Sequence, residues 1–313
     1  MIVQPTEEAL ARAADILRNG GLVAFPTETV YGLGADALDA SAVVRIYEAK
    51  GRPFASPLIV HVADQAMAQS LAADWPEAAR KLADRFWPGP LTLVVKKAAI
   101  VPEMVSAGLD SVGLRVPAHP VALALIRKAG LPIAAPSANR FMQISPTTAE
   151  HVNTGLGERV DLILDGGATT VGIESTVASL RRDPPAVLRP GMISQEELEA
   201  VTGLAWDREL ELPRISEAPG LHARHYAPRT PFYVLEVGAP KPAGRGRVIQ
   251  MPSRANEYAA QLYLELHGAD AEGWDWIAVE KPPETPEWAG ILDRLKRASA
   301  KQNQASISSN ALR

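Results

Sequence analysis

The segment 50–61, KGRPFASPLIVH, limits most strongly what this chain can fold into. Lys50 and Arg52 stand at the end of a helical pattern, and the prolines that follow prevent the helix from continuing. The apolar run after Pro57 predicts a short buried strand that ends at His61. Two cations at a sheet edge suit an anion with several oxygens, such as a polyphosphate. The alternative is that both are merely solvated at a helix C-terminus, where positive charge is favoured in any case.

Short apolar runs alternate with helical patterns along the chain, which predicts an α/β fold. The first helix follows Thr6, a suitable N-cap, and buries Leu10, Ala13, Ala14 and Leu17 on one face. Further helices are predicted over residues 42–50, 64–72, 75–86, 119–129, 195–202, 254–266 and 287–300. Strands are predicted over residues 22–25, 57–60, 91–95, 111–117, 131–135, 161–165, 172–177, 186–191, 232–237, 247–251 and 276–279.

A chain of 313 residues is about right for two domains. We place a first domain at 1–204, a linker at 205–230, a small α/β domain at 231–301 and a disordered tail at 302–313. Within the linker, PGLHARHYAP (219–228) is too aromatic and basic for an inert spacer, and we expect it to act as a lid over a pocket. The C-terminal domain shows few polar clusters, so the predicted site lies in the first domain.

Composition excludes several classes of protein. The absence of cysteine excludes disulfides, thiolate zinc sites and a cysteine nucleophile. A net charge of −4 gives no global basic field for long nucleic acids. No apolar run approaches the roughly 18 residues of a membrane span, and the early acidic residues do not fit a signal peptide. We therefore expect a cytoplasmic protein with no membrane partner.

Two polar loops directly follow predicted strands. The loop TETVYGLGADA carries Thr27, Thr29 and Tyr31, and ligands of open α/β sheets bind beyond the carboxyl ends of strands. The alternative for this loop is a capped turn into the next helix. The loop PSANRFMQISPT follows a strand of small residues, which lets a ligand approach the backbone closely. Its polar residues are Ser137, Asn139, Arg140, Gln143, Ser145 and Thr147.

Three further polar residues need interpretation: Arg115 has two possible roles, whereas Thr147 and His151 fit structural roles on a helix. Arg115 alternates with apolar neighbours, so it points to the opposite face of its strand, where it is either solvated or a clamp for a carboxylate. The strand pattern alone favours the solvated face. Thr147 fits a helix N-cap, and His151 fits an exposed position on that helix.

The motifs together resemble the two-domain form of the threonylcarbamoyl-AMP synthase family. They occur in the order FPTETVYGLGADA, KGRP with SPLIVHV, WPGPLTLV, GLRVP, APSAN with ISPTTAEHV, GIESTV, VLRPGMIS and PGLHARHYAP. The resemblance implies a YrdC-like twisted mixed sheet with flanking helices, followed by a smaller Rossmann-like α/β domain. It covers nearly the whole chain up to Pro228, whereas the C-terminal domain is matched by position and pattern.

The resemblance also implies a reaction in which ATP, L-threonine and bicarbonate give threonylcarbamoyl-adenylate and pyrophosphate. Mg²⁺ is expected with ATP, held mainly by phosphates and water, so no protein-bound metal site is expected. The product would pass transiently to a tRNA threonylcarbamoyl-transferase complex, with weak or no direct binding of tRNA by this chain. The second domain would anchor the linker so that Tyr226 reaches the pocket.

Residue roles follow from the matching motifs. For ATP, the resemblance implies Lys50 and Arg52, which we expect to be catalytic, with Ser56, Ser137, Asn139, Ser145, Arg189 and Tyr226. For threonine or its carbamoylated form, it implies Thr29, His61, Arg115, Ala135 and Ser175. The reaction joins anions and weak nucleophiles, so positioning and charge neutralisation should supply most of the acceleration. His61 fits a hydrogen bond or proton acceptance, and a satisfied structural histidine is the equal alternative.

Two positions depart from the family pattern. Met142 stands where relatives often have glycine, which would alter how its loop meets the nucleotide. Ser56 stands where relatives commonly have asparagine, and its hydroxyl has a shorter reach.

Two other functions are compatible with parts of the pattern. YrdC-like domains also occur in carbamoyltransferases that use carbamoyl phosphate, but those carry zinc-finger or kinase-like modules for which this chain has no counterpart. An RNA-binding protein without catalysis is the second, and the acidic charge balance argues against it.

Overall fold

The computed structural model of the protein describes residues 1–207 and 225–299, and all elements below lie in these ranges. The helices are α1 (Glu7–Arg18), α2 (Ala40–Lys50), α3 (Gln65–Ser70), α4 (Glu77–Phe86), α5 (Glu103–Ser106), α6 (Pro120–Ala129), α7 (Ala149–Leu156), α8 (Gln195–Thr202), α9 (Ala255–Ala271) and α10 (Ala289–Ser299). The strands are β1 (Ile2–Val3), β2 (Val23–Phe25), β3 (Gly32–Asp36), β4 (Ile59–His61), β5 (Leu91–Lys96), β6 (Ser111–Arg115), β7 (Ile133–Ala134), β8 (Leu162–Leu164), β9 (Thr176–Ser179), β10 (Ala186–Arg189), β11 (Phe232–Leu235), β12 (Gly246–Ile249) and β13 (Trp276–Glu280).

Ten strands form a mixed sheet in the order β1-β8-β2-β3-β7-β4-β6-β5-β9-β10. Successive residues of a strand belong to different cores: Val23 and Phe25 lie in the cluster that includes residues of α1 and α6, while Ala24 lies in the cluster that includes residues of α2, α4 and α8. Helices therefore cover both faces of the sheet. This arrangement, with the smaller sheet described below, confirms the predicted fold class.

Of the two predicted helix N-caps, one is confirmed and one is wrong. Thr6 caps α1 by accepting a hydrogen bond from the backbone of Ala9, and Ser194 forms a capping box with Glu197 at the start of α8. The cap of α7 is Thr148 rather than Thr147. The prediction that His151 is exposed is also wrong: its ring is half-buried and stacks on that of His267 at 3.8 Å.

The loop after β2 contains a strand that the sequence did not predict. β3 pairs antiparallel with both β2 and β7, although its sequence, GLGAD, has no β-branched residue. A Cβ at Gly34 would lie 2.7 Å from side chains of both Ile133 and Phe25. Glycine is therefore required for this close packing, which explains why ordinary strand propensity failed here.

The predicted strand 172–177 begins later than expected. β9 starts at Thr176 and pairs antiparallel with β10, while residues 172–175 form a loop ahead of it. That loop carries Glu174 and Ser175 to the end of the large sheet.

The smaller sheet contains three parallel strands in the order β11-β13-β12, with α9 and α10 packed against it. Its core is shared with the large domain, because Val30, Ile144 and Ile173 join the cluster formed by this unit. The predicted domain limits at 204 and 231 remain a proposal. The tail 302–313 and most of the predicted linker lie outside the described residues.

None of the helices in the described ranges is long and apolar enough to span a membrane.

Candidate active site

A narrow cavity of about 50 Å³ lies where several strand ends meet the small domain. Its walls come from the β2–β3 loop, the ends of β4, β6 and β10, the segment after β7 and the loop before β9. His225 and Tyr226 close it from the segment that leads into β11. The cavity therefore collects the carboxyl ends of strands and a returning loop, a usual place for a ligand site in such sheets.

Nine of the thirteen residues predicted for the site line this cavity. They are Thr29, Arg52, His61, Arg115, Ala135, Ser137, Ser175, Arg189 and Tyr226. The other four stand outside the lining and bond to residues of the surrounding loops: Lys50, Ser56, Asn139 and Ser145.

Lys50 holds a loop together in this structure. Its ammonium donates hydrogen bonds to the carbonyl oxygens of Ser137 and Asn139, the latter at 2.5 Å. Burial, with a contribution from the nearby Arg52, lowers the pKa of Lys50 well below its usual value. Lys50 therefore joins the end of α2 to the loop after β7, which shapes one wall of the cavity.

Arg52 lies in the cavity wall, and Ser56 orients it. Nη2 of Arg52 donates to Oγ of Ser56 at 2.5 Å and to the carbonyl oxygen of Pro57 at 3.0 Å. Burial lowers the pKa of Arg52 to about 10, which still leaves it charged at neutral pH. Its Nε is buried and, among the described residues, has no hydrogen-bond partner. The guanidinium is thus held in place through Nη2, with the Nε donor still unsatisfied.

The loop after β7 depends on Asn139, whose Nδ2 donates to the carbonyl oxygens of Arg140 and Gln143 at 2.8 Å each. Met142, inside this turn, has a φ of 70°, in the left-handed region that favours glycine. A glycine at this position, which the family resemblance leads us to expect, would adopt this backbone conformation without strain.

Arg115 is buried, so the solvated face favoured by its strand pattern is wrong. Its Nη2 lies 2.7 Å from a carboxylate oxygen of Glu28 and donates to Oγ1 of Thr29 at 3.0 Å. Its Nε donates to the carbonyl oxygen of Gly89 at 3.2 Å. Within the described ranges Nη1 makes no hydrogen bond, so one side of the fork remains for a ligand.

His61, beside Arg115, is a weak base. Burial and the positive charge of Arg115 lower its pKa to about 3, so the ring is neutral at physiological pH. Its Nδ1 is buried with no hydrogen-bond partner in the described part of the chain. These properties favour a hydrogen bond to a ligand over acceptance of its proton.

Arg189 and Ser175 form a third corner. Arg189 donates to the carbonyl oxygen of Ser175 at 3.0 Å and to its Oγ at 3.1 Å. The same Oγ lies 2.8 Å from Oγ1 of Thr92. The last residue of β10 thereby fixes the loop ahead of β9.

Glu174 is the functional candidate that the sequence predictions missed. It lines the cavity, and its carboxylate accepts hydrogen bonds from Ser145 at 2.5 Å, Tyr263 at 3.1 Å and Arg294 at 2.8 Å. Burial alone would raise its pKa, but the charges of Arg294 and Arg189 and the bond from Ser145 keep it below the ordinary value. The acidic residue within GIESTV was a signal in the sequence that could have identified it.

Tyr226 closes the cavity and touches the small domain. Its φ is 60°, its ring stacks on Tyr263 at 5.9 Å, and the guanidinium of Arg294 lies 5.2 Å from its ring centre. Its hydroxyl is buried without a hydrogen-bond partner in the ranges described. Tyr226 therefore lies between the cavity and the small domain.

The charges of the wall favour an anionic ligand. In the described part of the lining, three arginines, Arg52, Arg115 and Arg189, face one carboxylate, that of Glu174, and Glu28 lies behind Arg115. An excess of buried cations carries a desolvation penalty that lowers stability unless an anion binds beside them. Across residues 1–207 and 225–299, no group of three or more histidine or acidic side chains could hold a metal ion.

Two family models match successive parts of the chain. One, described as "Telomere recombination", matches residues 15–191. The other, described as "Threonylcarbamoyl-AMP synthase, C-terminal domain", matches residues 193–300.

Relatives match over nearly the full length. The chain is 44% identical to a threonylcarbamoyl-AMP synthase of Bacillus subtilis, over 93% of this chain and 92% of the relative. It is 41% identical to one of Pyrococcus abyssi, over 92% and 93% respectively. The structure is similar to that of Pyrococcus abyssi Sua5 complexed with L-threonine, with a TM-score of 0.87 at 39% identity over 96% of this chain and 97% of that one.

Proposed function

The chain belongs to the threonylcarbamoyl-AMP synthase family, and on that premise we propose that it converts L-threonine, bicarbonate and ATP into threonylcarbamoyl-adenylate and pyrophosphate. It is an enzyme, a transferase that acts in the modification of tRNA. One observation carries the detailed reaction: a cationic cavity wall adjoins a corner where Arg115 and Thr29 are bonded to each other. That combination suits a polyphosphate beside a small amino acid.

Threonine fits the corner formed by Arg115, Thr29 and His61. The open side of the Arg115 fork can hold the substrate carboxylate, and Oγ1 of Thr29 already lies at that fork. The neutral ring of His61 can donate or accept one hydrogen bond. Ala135, which has only a methyl side chain, leaves room for the substrate backbone.

ATP fits the wall that carries Arg52 and Arg189. The threonine amine attacks bicarbonate to give a carbamate with loss of water, and a carbamate oxygen then attacks the α-phosphorus while pyrophosphate leaves. Both guanidinium groups neutralise charge that would otherwise oppose the approach of two anions. Mg²⁺ bound to the phosphates would supply further neutralisation. Lys50, Asn139 and Ser56 support this wall by holding its loops and Arg52 in place.

Closure of the cavity also serves the chemistry. Carbamates decompose in water, so a site that excludes solvent protects the intermediate. His225 and Tyr226 are buried over the cavity, which has the geometry this protection requires. We place the reaction in the cytoplasm, where the adenylate would be handed to a tRNA threonylcarbamoyl-transferase complex.

The test is pyrophosphate release from ATP, with threonine and bicarbonate each omitted in turn and the adenylate detected by chromatography. Release should require both co-substrates and be lost in Arg52→Ala. The matched control is Arg254→Ala, which removes a 78% exposed arginine of the small domain that pairs with Glu257. Release with carbamoyl phosphate in place of threonine and bicarbonate would indicate a carbamoyltransferase. Absence of release, with tight and salt-dependent tRNA binding, would indicate an RNA-binding protein.

A further inference from the structure

Arg294 of α10 belongs to the small domain, yet it ends beside the cavity. Its side chain is fully buried, and its Nε donates to the carboxylate of Glu174 at 2.8 Å. Nη2 donates to the carbonyl oxygen of Glu174 at 3.2 Å, and Nη1 to that of Pro190 at 2.9 Å. One guanidinium therefore fixes both the side chain and the backbone of the residue before Ser175.

Glycines allow the two domains to approach closely on both sides of this contact. A Cβ at Gly172 would lie 2.2 Å from the carbonyl oxygen of Ala259 in α9. A Cβ at Gly290 in α10 would lie 2.6 Å from that of Gly191. The loop 172–175 is therefore held between α9 and the large sheet, and Arg294 lies within this close junction.

The pairing has an electrostatic consequence for the cavity. Glu174 is the only carboxylate in the described lining, and ATP brings several negative charges to the same space. The charged and titratable groups that act on Glu174 are Arg294, Arg189, Lys50, Tyr226 and Tyr263, with Asp293 behind Arg294. Without Arg294 the carboxylate would oppose the phosphates and draw Arg189 towards itself.

Resting on the proposed function, we infer that Arg294 is a positioning residue of the active site: it cancels the charge of Glu174 and fixes the loop that carries Ser175. Arg294 does not touch the substrates in this arrangement. It acts through Glu174, whose three donors also make that carboxylate a poor proton acceptor. The small domain thereby contributes to ATP binding as well as to the cover provided by Tyr226.

The first test is titration of the full-length protein with Mg²⁺–ATP, without threonine. In Arg294→Met the dissociation constant for ATP should rise about tenfold or more, because Glu174 remains charged and uncompensated. Glu174→Gln should bind ATP at least as tightly as the parent, since the cavity gains one positive charge and the amide oxygen can still accept the bond from Ser145. The double variant, Glu174→Gln with Arg294→Met, should recover most of the lost affinity.

The pH dependence separates this role from loss of packing. In Arg294→Met, ATP binding should improve relative to the parent as pH falls from 8 to 6, because the pKa of Glu174 rises once its cation is removed and protonation then takes away its charge. The double variant should lack that difference. The KM for ATP should rise in Arg294→Met by more than the KM for threonine, since Arg115 and Thr29 keep their partners and Ser175 is still held by Arg189.

Three results would overturn the inference: no loss of ATP affinity in folded Arg294→Met, no rescue in the double variant, or a tenfold loss in folded Glu174→Gln. If Arg294→Met does not fold, Glu174→Gln and the double variant still decide the matter, because each must bind ATP. Arg254→Met controls for loss of an arginine from the same domain. Pyrophosphate release by the parent tests the proposed function separately, so failure of the two ideas can be told apart.

Discussion

Two buried glutamate–arginine pairs border the same cavity, and they are built differently. Glu28 and Arg115 come from the large domain, whereas Glu174 and Arg294 join the two domains across 120 positions of sequence. Arg115 keeps Nη1 without a hydrogen bond in the described ranges, while Arg294 also bonds to the carbonyl oxygens of Glu174 and Pro190. The first arginine can still take a ligand, and the second is committed to the protein.

This difference shows that burial and ion pairing alone do not identify a catalytic arginine. A buried pair is weak evidence of stabilisation, because desolvation offsets much of the attraction. The donors that remain toward the cavity decide the role. By that criterion Arg115 suits the proposed threonine corner, and Arg294 belongs to the framework that holds Glu174 and Ser175.

Arg115→Met should have the largest effect on the reaction. Loss of the guanidinium removes the proposed clamp for the threonine carboxylate, so kcat/KM for threonine should fall about a thousandfold. Steady-state pyrophosphate release measures this loss. Glu28→Gln is the matched control: it removes the partner charge but leaves the bonds of Arg115 to Thr29 and Gly89, so its loss should be at most about tenfold. Similar losses of kcat/KM in Arg115→Met and Glu28→Gln would contradict a direct contact between Arg115 and threonine.

Arg294→Met should have the largest effect on folding. It leaves Glu174 buried without its cation, and breaking a buried pair typically costs about 3–5 kcal/mol. Equilibrium urea unfolding should show a loss of this order, with a smaller loss for Arg115→Met, whose arginine adjoins the cavity. Arg254→Met should lie within about 0.5 kcal/mol of the parent. If Arg294→Met and Arg115→Met lose the same free energy of unfolding, the Glu174–Arg294 pair stabilises the domain junction no more than the Glu28–Arg115 pair stabilises the cavity wall.

The sequence predicted the first of these regions better than the second. Lys50, Arg52 and His61 belong to a local helix–loop–strand pattern, and the structure confirms this pattern as α2, a loop and β4. The strand alternation placed Arg115 on the right face but could not show what covers that face. Arg294 looks like one of several charges on an amphipathic helix, and only its contact with Glu174 reveals its burial.

Local sequence patterns do not show which distant residues pack together. For this reason strand β3 was not predicted and His151 was wrongly predicted to be exposed. The packing of Gly34 against Phe25 and Ile133 involves three separate segments, so no local pattern encodes it. His151 is covered by His267, which lies in the other domain. Long-range contacts thus account for the errors, while the motif order accounted for most of the cavity lining.

The histidine pair at the junction should make that region sensitive to acid. Burial and the neighbouring His267 lower the pKa of His151 to about 4, against about 6.5 in an unfolded chain. Between these pH values the unfolded state binds more protons than the folded state. The contribution of His151 to the free energy of unfolding is therefore fully present above pH 6.5 and is lost as the pH falls towards 4. His151→Gln should reduce the loss of unfolding free energy between pH 7 and 5 by about 1 kcal/mol, allowing for partial exposure. An unchanged loss in urea unfolding at the two pH values would show that the stacked pair does not set this sensitivity, and activity at pH 7.5 should stay the same.

Met142→Gly should have the smallest effect, and it tests how the cover is joined to the nucleotide wall. Met142 has a φ of 70°, and its carbonyl oxygen accepts a hydrogen bond from the backbone of Ala227, next to Tyr226. Glycine relieves the left-handed strain but increases the entropy of the unfolded chain, so the net gain in stability should be at most about 1 kcal/mol. Ala107→Gly is a matched control, because Ala107 has a φ of 53° at the end of α5, outside the cavity lining. Both variants should unfold at slightly higher urea, but only Met142→Gly should change the KM for ATP, by less than about threefold. A change of the same size in Ala107→Gly would mean that general stabilisation, rather than the loop beside Tyr226, sets ATP binding.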